Sequence, residues 1–168
     1  MNIRVGKKED LNDIMIIINE AKAYFKNANI DQWQDGYPNE ESILEDIKKG
    51  YCFVLELDGK LVGTSAIIFE DDPTYEVIEE GQWKQNDSYG VIHRVAVLPG
   101  YKGRGLANAF FAFAKEECKR RKVHALRADT HDNNTSMQHV MAKNGLLYCG
   151  IVYMEDGTKR NAYECVLD

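Results

Sequence analysis

The sequence predicts an α/β fold built on one mixed, mostly antiparallel sheet of six or seven strands, with about four helices. Three features carry that expectation. A β-branched run over about residues 91–98 enters the segment Pro99-Gly-Tyr-Lys-Gly-Arg-Gly105 and passes directly into apolar residues at helical spacing that reach about Arg121. Two pairs of apolar runs are separated by hairpin signals, Asp58-Gly59 and Glu155-Asp-Gly157, so the strands they join run antiparallel. Between these, short strand-like runs alternate with segments of helical periodicity, the pattern of helices packed on a sheet.

The elements follow in order. Ile3-Arg-Val5 opens as a short strand, and Asp10 stands where it can cap a helix whose apolar residues Leu11, Ile14, Met15, Ile18, Ala21 and Phe25 share one face. Turn residues in Ile30-Asp-Gln-Trp-Gln-Asp-Gly-Tyr-Pro38 interrupt, after which Asn39 caps a second helix through Ile43, Leu44 and Ile47, ending at Gly50. Strands at 51–57 and 61–69 flank Asp58-Gly59. Residues 70–89 are polar apart from aromatics such as Tyr75 and Trp83 and too long for a tight turn, so they form either a lid or an excursion beside a site. The helix after the glycines buries Leu106, Phe110, Phe113, Ala114 and Cys118. A fifth strand spans 123–130, Asn134 or Thr135 caps a helix with Met137, Val140 and Met141 inward, and Gly145 stops it. Strands at 146–153 and 161–167 close the chain. With no linker, repeat or low-complexity stretch, residues 1–168 read as one domain.

A chain of 168 residues has room for a real core, and its mixed charge and ordinary apolar content argue against disorder. The net charge of -6, with no basic face, argues against nucleic acid as a partner and is compatible with an amine substrate. No apolar run approaches the ~20 residues of a bilayer span, and Met-Asn-Ile-Arg lacks a signal-peptide core, so no membrane partner and a cytoplasmic location are expected. Cys52, Cys118, Cys149 and Cys165 lack metal or redox spacing, as do His124 and His139; no metal is expected, and the thiols read as reduced packing residues.

The strand, glycine turn and helix deserve a phosphate reading, because backbone amides converge at such a helix start. Gly103 and Gly105 permit close approach and positive φ. Asn108 replaces the third glycine of a dinucleotide fingerprint, and no Lys-Ser/Thr pair follows, so neither a dinucleotide fold nor a P-loop is indicated. The segment instead resembles the coenzyme A diphosphate loop of the GNAT superfamily of N-acetyltransferases, Arg/Gln-x-x-Gly-x-Gly/Ala, with Lys102, Gly105 and Ala107 at its defining positions. The order of elements is also that of the GNAT fold, whose sheet splays between its fourth and fifth strands. Asp129-Thr-His-Asp-Asn-Asn134 through Lys143-Asn-Gly145-Leu-Leu is similar to the family's second motif, with Leu146 in place of its phenylalanine. Gln32-Trp-Gln-Asp-Gly-Tyr-Pro38, with Ile92-His-Arg94 and Asp129-Thr-His131, resembles a bacterial subset of the family whose acceptors are commonly unassigned.

The resemblance implies acetyl-CoA as co-substrate and a cytoplasmic N-acetyltransferase acting on a primary amine of a small molecule or peptide, by direct transfer in a ternary complex. It implies coenzyme contacts at Val95, Ala96, Val97, Lys102, Gly103, Arg104, Gly105, Leu106, Ala107 and Asn134. Dimers are common in the family, and nothing in the sequence specifies an interface. An alkylammonium has a pKa of about 10, so a base must remove its proton; His93 is the first candidate, alternating with Val91, Val95 and Val97 on a predicted strand face. A core histidine bonded to a carbonyl is the plain alternative. Glu70, Asp71 and Asp72 could supply a carboxylate or stand solvated, and Asp129 and His131 end the fifth strand near an expected acceptor. Trp33, Tyr37, Tyr75 and Trp83 could line the acceptor cleft or pack loops. The family's usual acid is a tyrosine where this chain has Met141; water, Tyr148 or Tyr153 could serve instead, or the thiolate could leave unaided. That departure keeps a second reading open, an acyl-CoA-binding module without turnover.

Overall fold

The computed structural model describes Met1–Asp168. Its elements are β1 (Asn2–Val5), α1 (Leu11–Asn27), α2 (Glu40–Lys49), β2 (Cys52–Leu57), β3 (Lys60–Ile68), β4 (Gly90–Val97), α3 (Leu106–Arg120), β5 (Ala125–Thr130), α4 (Thr135–Lys143), β6 (Leu147–Tyr153) and β7 (Lys159–Val166). The seven strands lie in the order β1-β2-β3-β4-β5-β7-β6, which fixes the upper of the two predicted strand counts. By contacts the chain divides into two compact units, Met1–Ile67 with Arg94–Phe110, and Ile68–His93 with Phe111–Asp168.

In the first unit, β1 and β3 flank β2, both antiparallel to it. Asp58 and Gly59 take φ 51° and 75°, the left-handed pair that a two-residue hairpin requires. Leu98 extends the β4 edge by donating its N–H to the Val62 carbonyl at 2.9 Å. Ile14, Ile17 and Ile18 of α1 and Ile43 of α2 are buried with Cys52, Val54 and Ala96. Each such isoleucine contributes about 1.5–3 kcal/mol, more than any exposed ion pair on the helices. Asn39 caps α2 as predicted, its Oδ1 accepting from Ser42 N–H at 2.9 Å, and Gly50 ends it at φ 75°. Asp10 does not cap α1. A 3-10 turn, Lys8–Asp10, precedes the helix, and the Asp10 carboxylate turns back to accept from Lys7 N–H at 2.8 Å and from the Arg4 guanidinium.

In the second unit, β5 and β6 flank β7, both antiparallel to it, and β4 pairs in parallel with β5. That parallel pairing covers Gly90 with Leu126 and Val91 with Arg127 and goes no further, although β4 continues to Val97 and β5 to Thr130. Residues 70–89 are a docked excursion: they contain a 3-10 turn, Pro73–Tyr75, and bridge to the β6 edge through Glu79 and Ile151. The approach is close enough that a Cβ on Gly81 would stand 1.9 Å from the Cys149 carbonyl oxygen. Asn134 caps α4, accepting from Met137 N–H at 3.2 Å.

Two further sequence expectations need correction. Phe111 rather than Phe113 is fully buried on α3, because the helix covers a wider apolar arc than the spacing alone suggested. Arg94 takes φ 54° inside β4, so strict alternation does not carry His93 onto one face with Val95 and Val97. A side chain in that region is costly unless its surroundings fix it. Here the guanidinium is gripped at both ends by Asp46 of α2, Nε to Oδ2 at 2.9 Å and Nη2 to Oδ1 at 2.8 Å, and it also donates to the Tyr37 hydroxyl.

Candidate active site

The glycine turn ends the first unit's part of β4 and opens α3. Gly103 and Gly105 take φ 77° and 75°, values that L side chains resist. Nothing stands within 4 Å of a Cβ placed on Gly103, and a Cβ on Gly105 would meet only Asn108 Nδ2 at 3.8 Å. These glycines are thus required by conformation, not by internal packing. The ladder of α3 starts with Ala109 N–H to the Gly105 carbonyl at 3.1 Å, leaving the preceding amides outside it. This is an arrangement that suits a diphosphate. Lys102 leans away onto α1, its Nζ 3.6 Å from the Tyr24 ring centroid, and burial lowers its pKa. Two cations that stack on Tyr101, Arg104 at 5.1 Å and Lys60 at 5.7 Å, add positive charge beside the turn. The Leu98–Tyr101 segment before it also borders a cavity of about 590 Å³ lined by Ile17 and Glu20 of α1 and by Lys60 and Leu61.

His93 is the centre of a polar group in the second unit. Its Nε2 lies 2.9 Å from Asp72 Oδ2, and its Nδ1 lies 3.7 Å from Asp129 Oδ2. Side-chain exposures of 20%, 20% and 8% for His93, Asp72 and Asp129 leave the imidazole reachable but largely desolvated. Asp72 begins the Pro73–Tyr75 turn and is fixed by it: Oδ1 accepts from Thr74 N–H at 2.9 Å and from Thr74 Oγ1 at 2.7 Å. Burial alone would raise the Asp72 carboxyl, but the His93 hydrogen bond and charge, helped by Thr74, hold it at about 2. The same turn delivers Tyr75, whose hydroxyl donates to Asp129 Oδ2 at 2.5 Å and whose ring centroid is 5.9 Å from that of His93. Burial, reinforced by the Asp129 charge, pushes the Tyr75 phenol well up, so it stays a donor.

A second layer holds the excursion in place. Trp83 Nε1 donates to the Tyr75 carbonyl at 2.9 Å, and the Tyr89 hydroxyl accepts from Asp72 N–H at 2.9 Å. The Arg127 guanidinium lies 4.1 Å from the Trp83 ring centroid and 4.0 Å from that of Tyr89, while its Nε donates to Glu164 Oε2 at 2.6 Å. Glu164 is fully buried and also accepts from Lys84 N–H at 2.6 Å. None of Thr74, Tyr89, Arg127 or Glu164 stood out in the sequence.

The structure thus gathers His93, Asp129, Tyr75 and Trp83 and selects Asp72, the half-buried member of an acidic run whose other two residues, Glu70 and Asp71, are exposed. Tyr75 and Trp33, expected to face an acceptor, are engaged in packing. Tyr75 is 2% exposed, and Trp33 stacks edge-on against Phe25 with centroids 5.4 Å apart, because both fill gaps beneath loops. Tyr37 is exposed and tied to Arg94. His131 Nδ1 accepts from Asn133 N–H at 3.0 Å, and Asn134 is buried as a helix cap. Tyr148 and Tyr153 are about half exposed on the edge strand β6, with Tyr148 against Tyr163 rather than beside His93. Met141 is the buried residue of α4.

The sequence model of the acetyltransferase (GNAT) family matches residues 16–146 of this chain. A GNAT-family acetyltransferase of Streptococcus agalactiae superposes with a TM-score of 0.90 at 36% identity, over 99% of this chain and 95% of that one. The S-alkylcysteine N-acetyltransferase of Bacillus subtilis is 26% identical over 120 residues, 70% of this chain but 60% of that protein, so the match leaves much of that relative uncovered. The fold is also that of yncA from Salmonella typhimurium, solved with its cofactor acetyl-CoA, at 20% identity and a TM-score of 0.71 over 100% of this chain and 94% of that one.

Proposed function

The chain belongs to the acetyltransferase (GNAT) family, and from that premise we propose that it transfers acetyl from acetyl-CoA to a primary amine within a ternary complex. The observation that carries the reading is the turn from Lys102 to Ala107, with two glycines at positive φ, open space above them and amides outside the helical ladder. Amides of Gly103, Arg104, Gly105, Leu106 and Ala107 would hold the coenzyme's diphosphate. Val95, Ala96 and Val97 on β4, and Asn134 at the start of α4, would meet its acyl arm.

Acetyl-CoA supplies an electrophilic thioester carbon. His93 takes the first proton that the acceptor's ammonium must lose and Asp129 offers an acceptor for that ammonium; the freed amine attacks the thioester carbon, and as the carbon–sulfur bond breaks the nitrogen gives up its second proton to water. The leaving thiolate takes its proton from water, with Tyr148 the side chain to test. Direct transfer is favoured over an acyl-cysteine route because none of the four cysteines lies in the Lys102–Ala107 turn or the Asp129–Asn134 segment, and burial raises the thiols of Cys52, Cys118 and Cys149.

Met141, buried where the family's usual acid would be, favours one alternative, a module that binds acyl-CoA without turnover. Coenzyme A release measured across a panel of a polyamine, an amino acid, an aminoglycoside, an arylalkylamine and a peptide N-terminus separates the readings. Turnover with any of them supports transfer. Thermal stabilisation by acetyl-CoA, about 2.7 kcal/mol at 100 times its Kd, without turnover leaves the binding module, and no stabilisation defeats both.

A further inference from the structure

We propose that Asp72 is a positioning residue for His93: by accepting the Nε2 proton it leaves Nδ1 as the nitrogen that takes the acceptor's proton. The inference rests on the reading of His93 as the base and specifies which of its atoms acts.

The geometry selects one tautomer. Asp72 Oδ2 is at hydrogen-bond distance, 2.9 Å, whereas Asp129 Oδ2 is at 3.7 Å from the other ring nitrogen. An ionised carboxylate only accepts, so a bare Nε2 against Asp72 would set two acceptors face to face. The proton therefore sits on Nε2. The groups facing the ring are Asp72 and Tyr75 from the Pro73–Tyr75 turn and Asp129 from β5. The nearby cation of β5, Arg127, is committed to buried Glu164. Asp129 Oδ2 already accepts from the Tyr75 hydroxyl, so Nδ1 and Oδ2 present two acceptors to one incoming N–H donor.

Thr74 decides what the Asp72→Asn variant does. Both Thr74 donors converge on Oδ1, so the new amide keeps its oxygen there and turns its NH2 toward His93 Nε2. An NH2 donating to Nε2 forces the proton onto Nδ1, the nitrogen that must be bare. The variant is isosteric, yet its base is held the wrong way round.

The test combines nitrogen NMR of the His93 ring in the full-length protein with pH–rate profiles of wild type, D72N and H93A, using an amine that the panel shows to turn over. Wild type is expected to carry the Nε2–H tautomer in the neutral ring and D72N the Nδ1–H tautomer. D72N should lose at least about tenfold in kcat, in a range that reaches about 10⁴-fold for orienting carboxylates, with the KM for acetyl-CoA little changed. A residue that only supported the loop would leave the ring tautomer unchanged. An Nδ1–H tautomer in wild type overturns the proposal, and that measurement needs no variant. So does a D72N with wild-type tautomer and profile while H93A is inactive. Full activity in H93A overturns the base assignment itself, a distinct failure.

Discussion

Between Lys102 and Ala107 the candidate functional atoms are backbone amides, set by glycines at φ 77° and 75° within one short stretch. Around His93 they are side-chain atoms drawn from residues 72–75, from β4 and from β5, assembled across up to 54 positions of sequence in the Tyr75–Asp129 bond. The first region needs little beyond its own turn to hold its shape. The second depends on a docked excursion, and that excursion depends on a buried ion pair. The difference teaches where each region is vulnerable: one through local conformation, the other through distant supports.

That dependence makes the largest predicted stability effect remote from the imidazole. Glu164→Gln leaves the buried Arg127 guanidinium without an anion and should cost about 3–5 kcal/mol in urea unfolding. Turnover should fall with it as the 70–89 segment loosens; a loss under about 1 kcal/mol with intact turnover would show that the His93 group stands without its clamp. A smaller effect is expected in acid. The Asp72 carboxyl lies at about 2 in the folded protein, below its ordinary value, so its contribution is present above pH ~4 and lost as pH falls through 2. On the order of 2 kcal/mol should disappear over that window, and D72N should lack this part of the acid dependence in parallel unfolding titrations. The smallest concerns Tyr37→Phe. Arg94 keeps both bonds to Asp46, so stability should change by less than about 1 kcal/mol. A larger loss would mean that Tyr37, rather than Asp46, holds the left-handed Arg94.

The contrast also explains what could be read from the residues alone. Helices, hairpins and the glycine turn are encoded by neighbours: Asn39 with Ser42, Asp58 with Gly59, Gly103 with Gly105. His93 was visible as a candidate because a histidine in an apolar strand is conspicuous. Which of the three acids Glu70, Asp71 and Asp72 would partner it was not, since they look alike until the Pro73–Tyr75 turn draws Asp72 inward. Asp10 misled in the opposite direction, its cap signal outcompeted by Arg4 of β1. Arg94 carries no sequence mark of its φ 54°, because the cause is Asp46, 48 residues away. Arg127 and Glu164 read as ordinary strand residues, and their pairing emerges only from the register of β5 against β7, which sets them opposite each other.

We propose that coenzyme holding resides in the backbone of the Lys102–Ala107 turn and proton transfer in the His93 side chain. Calorimetric titration of acetyl-CoA into wild type, Gly105→Val and His93→Ala tests it most directly. G105V, strained at φ 75° and with a side chain over the amides, is expected to lose at least about tenfold in affinity, while H93A binds as wild type does. Unchanged binding by G105V, or a comparable loss in H93A, would contradict it.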